Sequence, residues 1–455
     1  MQTSLHGARA LRLAPRFLRL AITSLGAASL ASPLGAQLPR GADSVGLRLG
    51  ALYQLADQSS PRLEAARARA LAAEARVSGA MRPPDPQLQL GFMNRSLPSL
   101  APMEPLGMTQ LQLMQMLPLG GKLGLAGRAA AATAAVTRDR ADDVHWDLRS
   151  RVAMVFYDLY QTDRSIEVAS NTRRLLQDIA KTTEGMYAVG EGRQADVLKA
   201  QVEVARMTEE LVRMRSMRTA MISRLGGLLG REVDSTIASP ELPALPAVLP
   251  PLDTLQRLAE LDRPMVRAGA NEVLAADASL RLAAREIWPD LQIGVQYGQR
   301  GSAMGGQERM ASLMLGASLP VFANSRQRKM REEAEAMKAM ATADLAAMRA
   351  ETRARVIELY ADFTRAANLT TLYQSTILPQ ARALVTSSLA AYRVGQVNLM
   401  TLVDNQMTVN RYQQELFTLQ ADQGRALAEL EMLIGRELMD PNATSATPRW
   451  ARTEP

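Results

Sequence analysis

The most regular hydrophobic pattern in the chain runs from Ser325 to Ala391, a stretch without glycine and with one proline, Pro379. In its first half, from Met330 to Phe363, apolar residues recur every three or four positions, and most positions between them are charged or small. This spacing places the apolar side chains on one face of an α-helix. The mean step is about 3.67 residues, closer to a straight helix than to a left-handed coiled coil. The pattern therefore predicts a long, nearly straight helical rod.

The length of this rod excludes a single compact core around it. At about 1.5 Å per residue the stretch would reach roughly 100 Å, several times the diameter of a small domain. Pro379 lacks an N–H and crowds the carbonyl of Ser375, so we expect a bend there, and the apolar pattern resumes beyond it. We place the end of the helix at Gly395, because glycine takes the positive φ of a helix C-terminus.

The chain repeats one plan twice, with an offset of about 203 residues. Pro61 and Pro86 of the first copy are 25 residues apart, as are Pro264 and Pro289 of the second. Further matches join Leu117-Pro118 to Leu319-Pro320, Tyr187-Ala188-Val189-Gly190 to Tyr392-Arg393-Val394-Gly395, and Leu228-Leu229-Gly230-Arg231-Glu232 to Leu433-Ile434-Gly435-Arg436-Glu437. A duplication explains matches that keep the same order and spacing. We assign residues 37–252 to the first repeat, 253–440 to the second and 441–455 to a C-terminal tail.

Each copy contains two segments with the period of a β-strand. Leu88, Leu90 and Phe92 alternate with polar or small residues, as do the apolar residues from Leu291 to Val295. Second strands are predicted at 108–117 and 310–319, after linkers that we interpret as loops. A tilted strand of about ten residues spans the apolar layer of a membrane. Four strands cannot close a barrel, and lipid does not tolerate an open edge, so other chains must complete the sheet; three chains would supply twelve strands.

The remaining segments predict further helices. The first copy should hold a long helix over 122–187 and a return helix over 195–229. The second copy should hold a helix over 255–286, then the rod, and a return helix over 399–434. The return helix 195–229 and the helix 255–286 together match one rod in length, so we expect both to pack along a long helix. Five prolines between 240 and 251 predict an irregular connection.

The N-terminal segment predicts that this chain is exported from the cytoplasm. Arg9, Arg12, Arg16 and Arg19 accompany an apolar run and small residues up to Ala36, which predicts a signal peptide over 1–36. A membrane anchor is the alternative, but the apolar run is short for a span. Without these four arginines the formal charge falls from +7 to +3, so the charge gives no indication of nucleic-acid binding.

Residues suited to catalysis or tight metal binding are scarce. The chain has no cysteine and two histidines, of which His6 lies in the signal peptide and His145 lies in a helical pattern without a nucleophile motif. Disulfides and zinc–thiolate sites are therefore excluded. Carboxylates occur at helix-surface spacings and not in paired catalytic arrangements. We predict a protein that is not an enzyme and needs no cofactor.

Four features follow one another in a fixed order: the twofold repeat, the stretch Leu117-Pro118-Leu119-Gly120-Gly121-Lys122, the two Tyr-x-Val-Gly turns, and the Leu-Leu-Gly-Arg and Leu-Ile-Gly-Arg ends. In this ordered set the chain resembles the TolC family of outer-membrane efflux channels over about residues 50–440. The resemblance implies a homotrimer in which a twelve-stranded β-barrel in outer-membrane lipid continues into an antiparallel α-helical barrel in the periplasm. It implies a passive exit duct for small molecules such as drugs or metal ions, joined by a periplasmic adaptor to an inner-membrane transporter. No cofactor and no nucleic acid are implied.

The same resemblance assigns roles at the two turns, which would be the periplasmic tips. It implies adaptor docking at Val189, Gly190, Asp196, Val197 and Leu198 of the first copy and at Val394, Gly395 and Leu402 of the second. Glu191 departs from the family, in which an apolar residue is common at this position. In some members two aspartates form a carboxylate ring at the closed end; here Thr401 replaces the first and Asp404 matches the second. A ring of Asp404 side chains would favour cations, while the alternative is a solvated helix residue.

Several other features have two interpretations. The methionines at 93, 103, 108, 114, 116, 304, 310 and 314 offer soft thioether ligands, and copper or silver relatives exist in the family, but methionine also fills packing gaps. Basic residues follow each second strand, and they fit either the boundary of a membrane or ordinary surface charge at a helix start. They are Lys122, Arg128 and the run 326–331. Tyr187 and Tyr392 fit packing anchors better than ligand contacts. The alternative to a channel is a soluble periplasmic coiled-coil adaptor or structural protein.

Overall fold

The computed structural model describes residues 47–99, 101–103, 107–234, 237–301 and 306–439. All of these residues belong to one structural unit. The predicted signal peptide 1–36, the tail 441–455 and Met304 lie outside the described residues.

The order of elements repeats, as the sequence predicted. The first copy holds α1 (Leu49–Ser59), α2 (Pro61–Ala80), β1 (Gln87–Met93), β2 (Met108–Pro118), α3 (Lys122–Ala188) and α4 (Gln194–Leu229). The second copy holds α5 (Leu252–Asp262), α6 (Pro264–Arg285), β3 (Asp290–Gly301), β4 (Gln307–Ser318), α7 (Gln327–Leu372), a π-helical turn (Tyr373–Ile377), α8 (Leu378–Arg393) and α9 (Leu399–Ile434). The fold is mainly helical with one small antiparallel sheet, and the predicted twofold repeat is confirmed.

Two helix boundaries differ from the sequence prediction. The segment 255–286 is not one helix, because it divides into α5 and α6 at Arg263. Proline disfavours the α conformation in the residue before it, and Arg263 takes φ −56° and ψ 119° ahead of Pro264. Helix α1 was not predicted. Both short helices end directly before a helix that has proline at its first position, so the same break occurs in each copy.

The π-helical turn lies where the sequence predicted a bend. The Leu378 N–H bonds to the carbonyl of Tyr373, five residues back, and Pro379 follows in the first turn of α8. A π turn adds one residue to a helix and lets it continue past a proline. The offset between the copies is 204 residues at Arg149 and Arg353 and 205 at Tyr187 and Tyr392, which fits one added residue.

The four strands form one antiparallel sheet in the order β1-β2-β3-β4. Directly paired residues lie on the same face, and Leu90 pairs with Leu111, which pairs with Tyr297. One face is therefore apolar, and its large side chains at 88, 90, 92, 111, 113, 295, 297, 313 and 315 are between 43% and 69% exposed. The opposite face carries glutamine, glycine and methionine, as where Gln89 pairs with Gln112 and Gln112 with Gln296.

The main core lies where the short helices meet the long ones. Phe156 and Tyr157 of α3 are fully buried there, with residues of α1, α4, α5, α7 and α9 around them. Gly424 of α9 is required by this packing, since a Cβ at that position would lie 2.3 Å from the Tyr157 ring. Helix α3 packs against α2, α4, α6 and α9, so the expectation that α4 and α6 pack along a long helix is confirmed.

Among the described residues, no helix combines the length and the apolar character needed to cross a bilayer.

Candidate functional site

The turn between α3 and α4 is a Schellman motif, a helix C-terminus closed by a residue with positive φ. Gly190 has φ +79° and its N–H bonds to the Tyr187 carbonyl at 3.0 Å, while the Glu191 N–H bonds to the Met186 carbonyl at 2.9 Å. These two bonds satisfy carbonyls that the end of a helix leaves without partners. Gly192 lies against the same helix end, where a Cβ would come within 2.8 Å of the Tyr187 nitrogen.

The turn between α8 and α9 repeats this motif. Gly395 has φ +74° and bonds to the Tyr392 carbonyl at 3.0 Å, and the Gln396 N–H bonds to the Ala391 carbonyl at 2.9 Å. Helix α9 then begins with a side-chain cap, because Asn398 Oδ1 accepts the Thr401 N–H at 2.9 Å. Helix α4 has no such cap at Arg193. The two turns therefore share their helix ends and differ at their helix starts.

Both turns lie at the same end of the helices. The Tyr392 hydroxyl donates to the sulfur of Met186, 3.8 Å away. Beneath the turns is a second apolar cluster, formed by the side chains of Leu176, Ile179, Ala180, Ala200, Met207, Leu399, Leu402 and Val403. The cluster draws residues from α3, α4 and α9, so the two copies support each other at this end.

The residues predicted to dock an adaptor fall into two groups. Val189, Leu198 and Val394 are 72%, 55% and 68% exposed. Val197 and Leu402 are instead 9% and 2% exposed, because they lie on the inner faces of α4 and α9. These two side chains are therefore covered within the chain, and the docking role of the eight residues stays a prediction. Asp196 lies in the first turn of α4, half-buried.

The predicted gate residues lie one helical turn apart on α9. Both are exposed, and the Thr401 hydroxyl donates to Asn398 Oδ1 at 2.9 Å. The Asp404 carbonyl accepts a bond from the Thr408 hydroxyl, but no bond or ion pair to the Asp404 carboxylate is found in the described part of the chain. Thr401 therefore acts as part of a helix cap, while the Asp404 carboxylate is available for contacts outside the chain.

The two tyrosines of the turns are not equivalent. Tyr392 packs against the apolar cluster beneath the turns, as expected of a packing anchor. Tyr187 is 48% exposed and so does not act as a packing anchor within this chain. The sequence motif, which is the same in both copies, could not reveal this difference.

Sequence reasoning missed the role of Lys122. Neither a membrane boundary nor exposed helix-start charge describes it, because its side chain is only 7% exposed. Its Nζ donates to Asp290 Oδ1 and to the Trp288 carbonyl, each at 2.9 Å, and lies 3.5 Å from Glu286 Oε2. Lys329, in the basic run, fits exposed helix-start charge, since it pairs with Glu332 on the surface. Two acidic residues, Glu286 at the end of α6 and Asp290 at the start of β3, are the sequence signal for this contact.

The methionines of the strands share one face of the sheet with the glutamines. Those at 93, 108, 114, 116, 310 and 314 all occupy this face by register. Met114 and Met314 flank Gly294, which pairs with both. No cluster of three or more His, Cys, Asp or Glu side chains suited to a metal ion occurs in the described ranges.

The family model for outer membrane efflux protein matches residues 52–231 and 255–436, one match in each copy. The chain belongs to this family of outer-membrane efflux channels. It is therefore an outer-membrane protein with a periplasmic helical extension, and the prediction that it is not an enzyme is confirmed by its membership. The alternative of a soluble adaptor is not supported.

Solved structures of bacterial membrane proteins share the fold. The VceC outer membrane protein of Vibrio cholerae is 18% identical, with a TM-score of 0.73 over 86% of this chain and 96% of that one. A membrane protein from Pseudomonas aeruginosa is 17% identical, with a TM-score of 0.75 over 89% and 98%. The open state of the Neisseria gonorrhoeae MtrE channel is 14% identical, with a TM-score of 0.72 over 88% and 91%. No curated protein sequence matches the chain.

Proposed function

We propose that this chain forms a homotrimeric, passive exit duct for small molecules in a tripartite efflux assembly. Three sheets would join, β4 of one chain beside β1 of the next, into a barrel of about twelve strands, as closure in lipid requires. The duct has no cofactor, and the energy for transport comes from an inner-membrane transporter. The two repeats, 37–252 and 253–440, supply equivalent halves of each subunit.

The observation that carries this proposal is the two-faced sheet. Nine large apolar side chains on one face are between 43% and 69% exposed, and an exposed apolar patch of this kind marks contact with a partner or with lipid. The opposite face of glutamine, glycine and methionine then lines an aqueous lumen. Strands β1 and β4 are the outer strands of the sheet in the described chain, and their free edges need partners.

The turns at Gly190 and Gly395 form the periplasmic end in this proposal. The exposed Val189 and Val394 offer an apolar surface to a periplasmic adaptor. Adaptor binding separates the helix pairs beneath the turns, and the Asp404 carboxylates line the aperture. The carboxylate ring then attracts cations when the aperture is narrow.

The test is the mass and the conductance of the mature protein extracted from outer membranes in mild detergent. We expect a trimer that gives discrete openings in planar bilayers. A soluble monomer without conductance would contradict the proposal, because the apolar face would then have no lipid to contact.

A further inference from the structure

The long helices of the two copies are equivalent in sequence but not in surroundings. Arg149, Arg151 and Val152 of α3 match Arg353, Arg355 and Val356 of α7. Helix α3 packs against α2 and α4 of its own copy and also against α6 and α9 of the second copy. Helix α7 packs against α5, α6 and α9, all of its own copy. The contacts that α3 makes with the other copy therefore have no equivalent of similar extent on α7 in the described chain.

Apolar residues mark the uncovered side of α7 and α8. The α3 residues Val136, Ala153, Val168 and Ile179 are 5%, 0%, 7% and 7% exposed. With the offset of 204 before the π turn and 205 after it, their counterparts are Met340, Ile357, Leu372 and Leu384. These counterparts are 52%, 45%, 43% and 50% exposed. The same helix positions are covered in the first copy and open in the second.

The complementary surface lies on α4, the counterpart of α9. Val403 of α9 is 1% exposed in the cluster with Ile179, whereas its counterpart Leu198 is 55% exposed. Phe417 of α9 packs edge-on against Tyr160 of α3 with ring centroids 6.2 Å apart, whereas its counterpart Val212 is 63% exposed. Helix α4 thus presents apolar residues where α9 uses the same positions to cover α3.

The ion pairs of Arg149 on α3 and of its counterpart Arg353 on α7 differ in the same way. Arg149 lies between Asp57 of its own copy, at 3.2 Å, and Glu437 at the end of the second copy, at 2.7 Å. Its counterpart Arg353 pairs with Glu260, the counterpart of Asp57, at 2.5 Å.

The ion pair between Arg149 and Glu437 has no counterpart within the described chain. The counterpart of Glu437 is Glu232, whose side chain is exposed and forms no ion pair within the described residues. The Arg149 side chain is 17% exposed and that of Arg353 is 56% exposed. Arg353 thus has the partner from its own copy and lacks the partner from the other copy.

We propose that α7 and α8 of one chain pack against α4 of a second copy of this chain, with Arg353 paired to Glu232 across the interface. The second copy is the occupant because both uncovered surfaces repeat an interface that already exists inside the chain. The contact joins two different surfaces, so it is head-to-tail and closes a ring when it repeats. This inference rests on the proposed oligomeric duct and specifies the residues that join its subunits.

Cross-linking between differently tagged chains tests the pairing, because the chain has no cysteine of its own. A chain with Arg353→Cys and a chain with Glu232→Cys are co-expressed, and the membranes are treated with a short bismaleimide. This reagent is needed because the long side chains of an Arg–Glu pair hold the two backbones farther apart than a disulfide can span. We expect a product that carries both tags, and none when either variant is expressed alone. The matched control places Arg149→Cys and Glu437→Cys on separate chains, where no product with both tags is expected, and then in one chain, where an internal link is expected.

A charge-reversal series gives a second readout that does not need the cysteines. Arg353→Glu should lower the temperature at which the oligomer dissociates in mild detergent, and adding Glu232→Arg should restore it. If Glu260→Arg restores it and Glu232→Arg does not, the Arg353 pair lies within one chain and the proposal is overturned.

The mass of the wild-type protein separates the two proposals. A trimer that yields no product from the Arg353 and Glu232 pair would overturn the interface and leave the duct standing. A monomer would overturn both.

Discussion

Lys122 Nζ lies 2.9 Å from Asp290 Oδ1, and this ion pair joins the start of the long helix in the first copy to the first strand of the second copy. The same nitrogen donates to the Trp288 carbonyl, so one buried cation holds a chain segment that lies 166 to 168 residues away in sequence. Gly120 beside it has φ +72° and packs against the Trp288 ring, where a Cβ would lie 3.1 Å from the ring. The junction of helix and sheet therefore depends on a contact between the copies.

Replacing Lys122 with methionine should destabilise this junction. Removing one partner of a buried ion pair leaves the other charge uncompensated, which costs about 3 kcal/mol. We expect a lower thermal midpoint for the purified protein in detergent. Lys329→Met is the matched control, because its pair with Glu332 is exposed and such pairs contribute less than about 1 kcal/mol. Equal midpoints for the two variants would contradict a structural role for Lys122.

The two faces of the sheet should respond in opposite ways to a charge. Leu313→Lys places an ammonium on the apolar face and should cost about 2 to 4 kcal/mol if that residue lies near the middle of the bilayer. Ser312→Lys places the same charge on the glutamine face one residue away, where water is available. We expect the first variant to be depleted from outer-membrane fractions and the second to assemble with altered ion selectivity.

If Leu313→Lys assembles normally while Ser312→Lys does not, the assignment of the two faces is reversed. Conductance of the assembled variants in planar bilayers distinguishes the cases further, because only a charge that lines the lumen changes cation preference.

The sequence predicted the helices and the strand faces because both follow from periodicity. The positions of Leu88, Leu90 and Phe92 fixed their common face before any pairing was known. Periodicity could not reveal that Lys122 is buried, because that depends on Asp290 arriving from the other copy. Nor could it separate the buried Leu402 from the exposed Leu198, since each lies in the first turns of a return helix and only the neighbours differ. The break at Arg263 was missed because an amphipathic pattern can continue from one helix into the next.

The turn glycines should matter for backbone reasons alone. Gly190 and Gly395 have positive φ and open space around them, so alanine would meet no neighbour but would hold a left-handed backbone. Such a backbone costs about 1 to 2 kcal/mol in a residue with a Cβ. We expect faster amide hydrogen exchange at the turn in Gly190→Ala and in Gly395→Ala, measured by mass spectrometry.

Gly185→Ala is the control for these variants. Gly185 lies within α3, has no atom close to a Cβ position and has no positive φ. Alanine favours a helix over glycine by about 1 kcal/mol, so exchange at this position should slow. Slower exchange in all three variants would show that the turns do not need the left-handed conformation.

The network around Asp57 should make stability depend on acid. Burial raises the pKa of the Asp57 carboxyl, but the hydrogen bond and charge of His145 and the charge of Arg149 outweigh burial and hold that pKa below its ordinary value. His145 Nε2 lies 2.8 Å from Asp57 Oδ1. Since the unfolded value is about 3.9, the ionised carboxylate stabilises the fold above that pH. The contribution is lost as the pH falls through the folded pKa.

Asp57→Asn should therefore make the stability of the protein depend less on pH in the acid range. We expect a lower thermal midpoint than wild type near neutral pH. The midpoint should also fall less than that of wild type between about pH 5 and the lowest pH at which the protein stays folded. The measurement is the midpoint across this series in detergent at constant ionic strength. Parallel curves for the two proteins would show that the Asp57 network does not contribute to acid sensitivity.

In the proposed trimeric duct, Asp404 should influence ions at the end formed by the two turns. Its carboxylate is exposed on α9, one turn beyond the Thr401 cap, and a threefold ring of such groups attracts cations and resists anions. Asp404→Ala should raise the leak conductance or weaken block by divalent cations in planar bilayers, and Asp404→Asn, which keeps the shape, should do the same if charge is the cause. Glu415→Ala removes an exposed carboxylate from the same helix farther from the turn and should leave both properties unchanged. Single-channel behaviour of Asp404→Ala that matches wild type would exclude a gating role for this residue, whereas a change shared with Glu415→Ala would indicate a general effect of charge along α9.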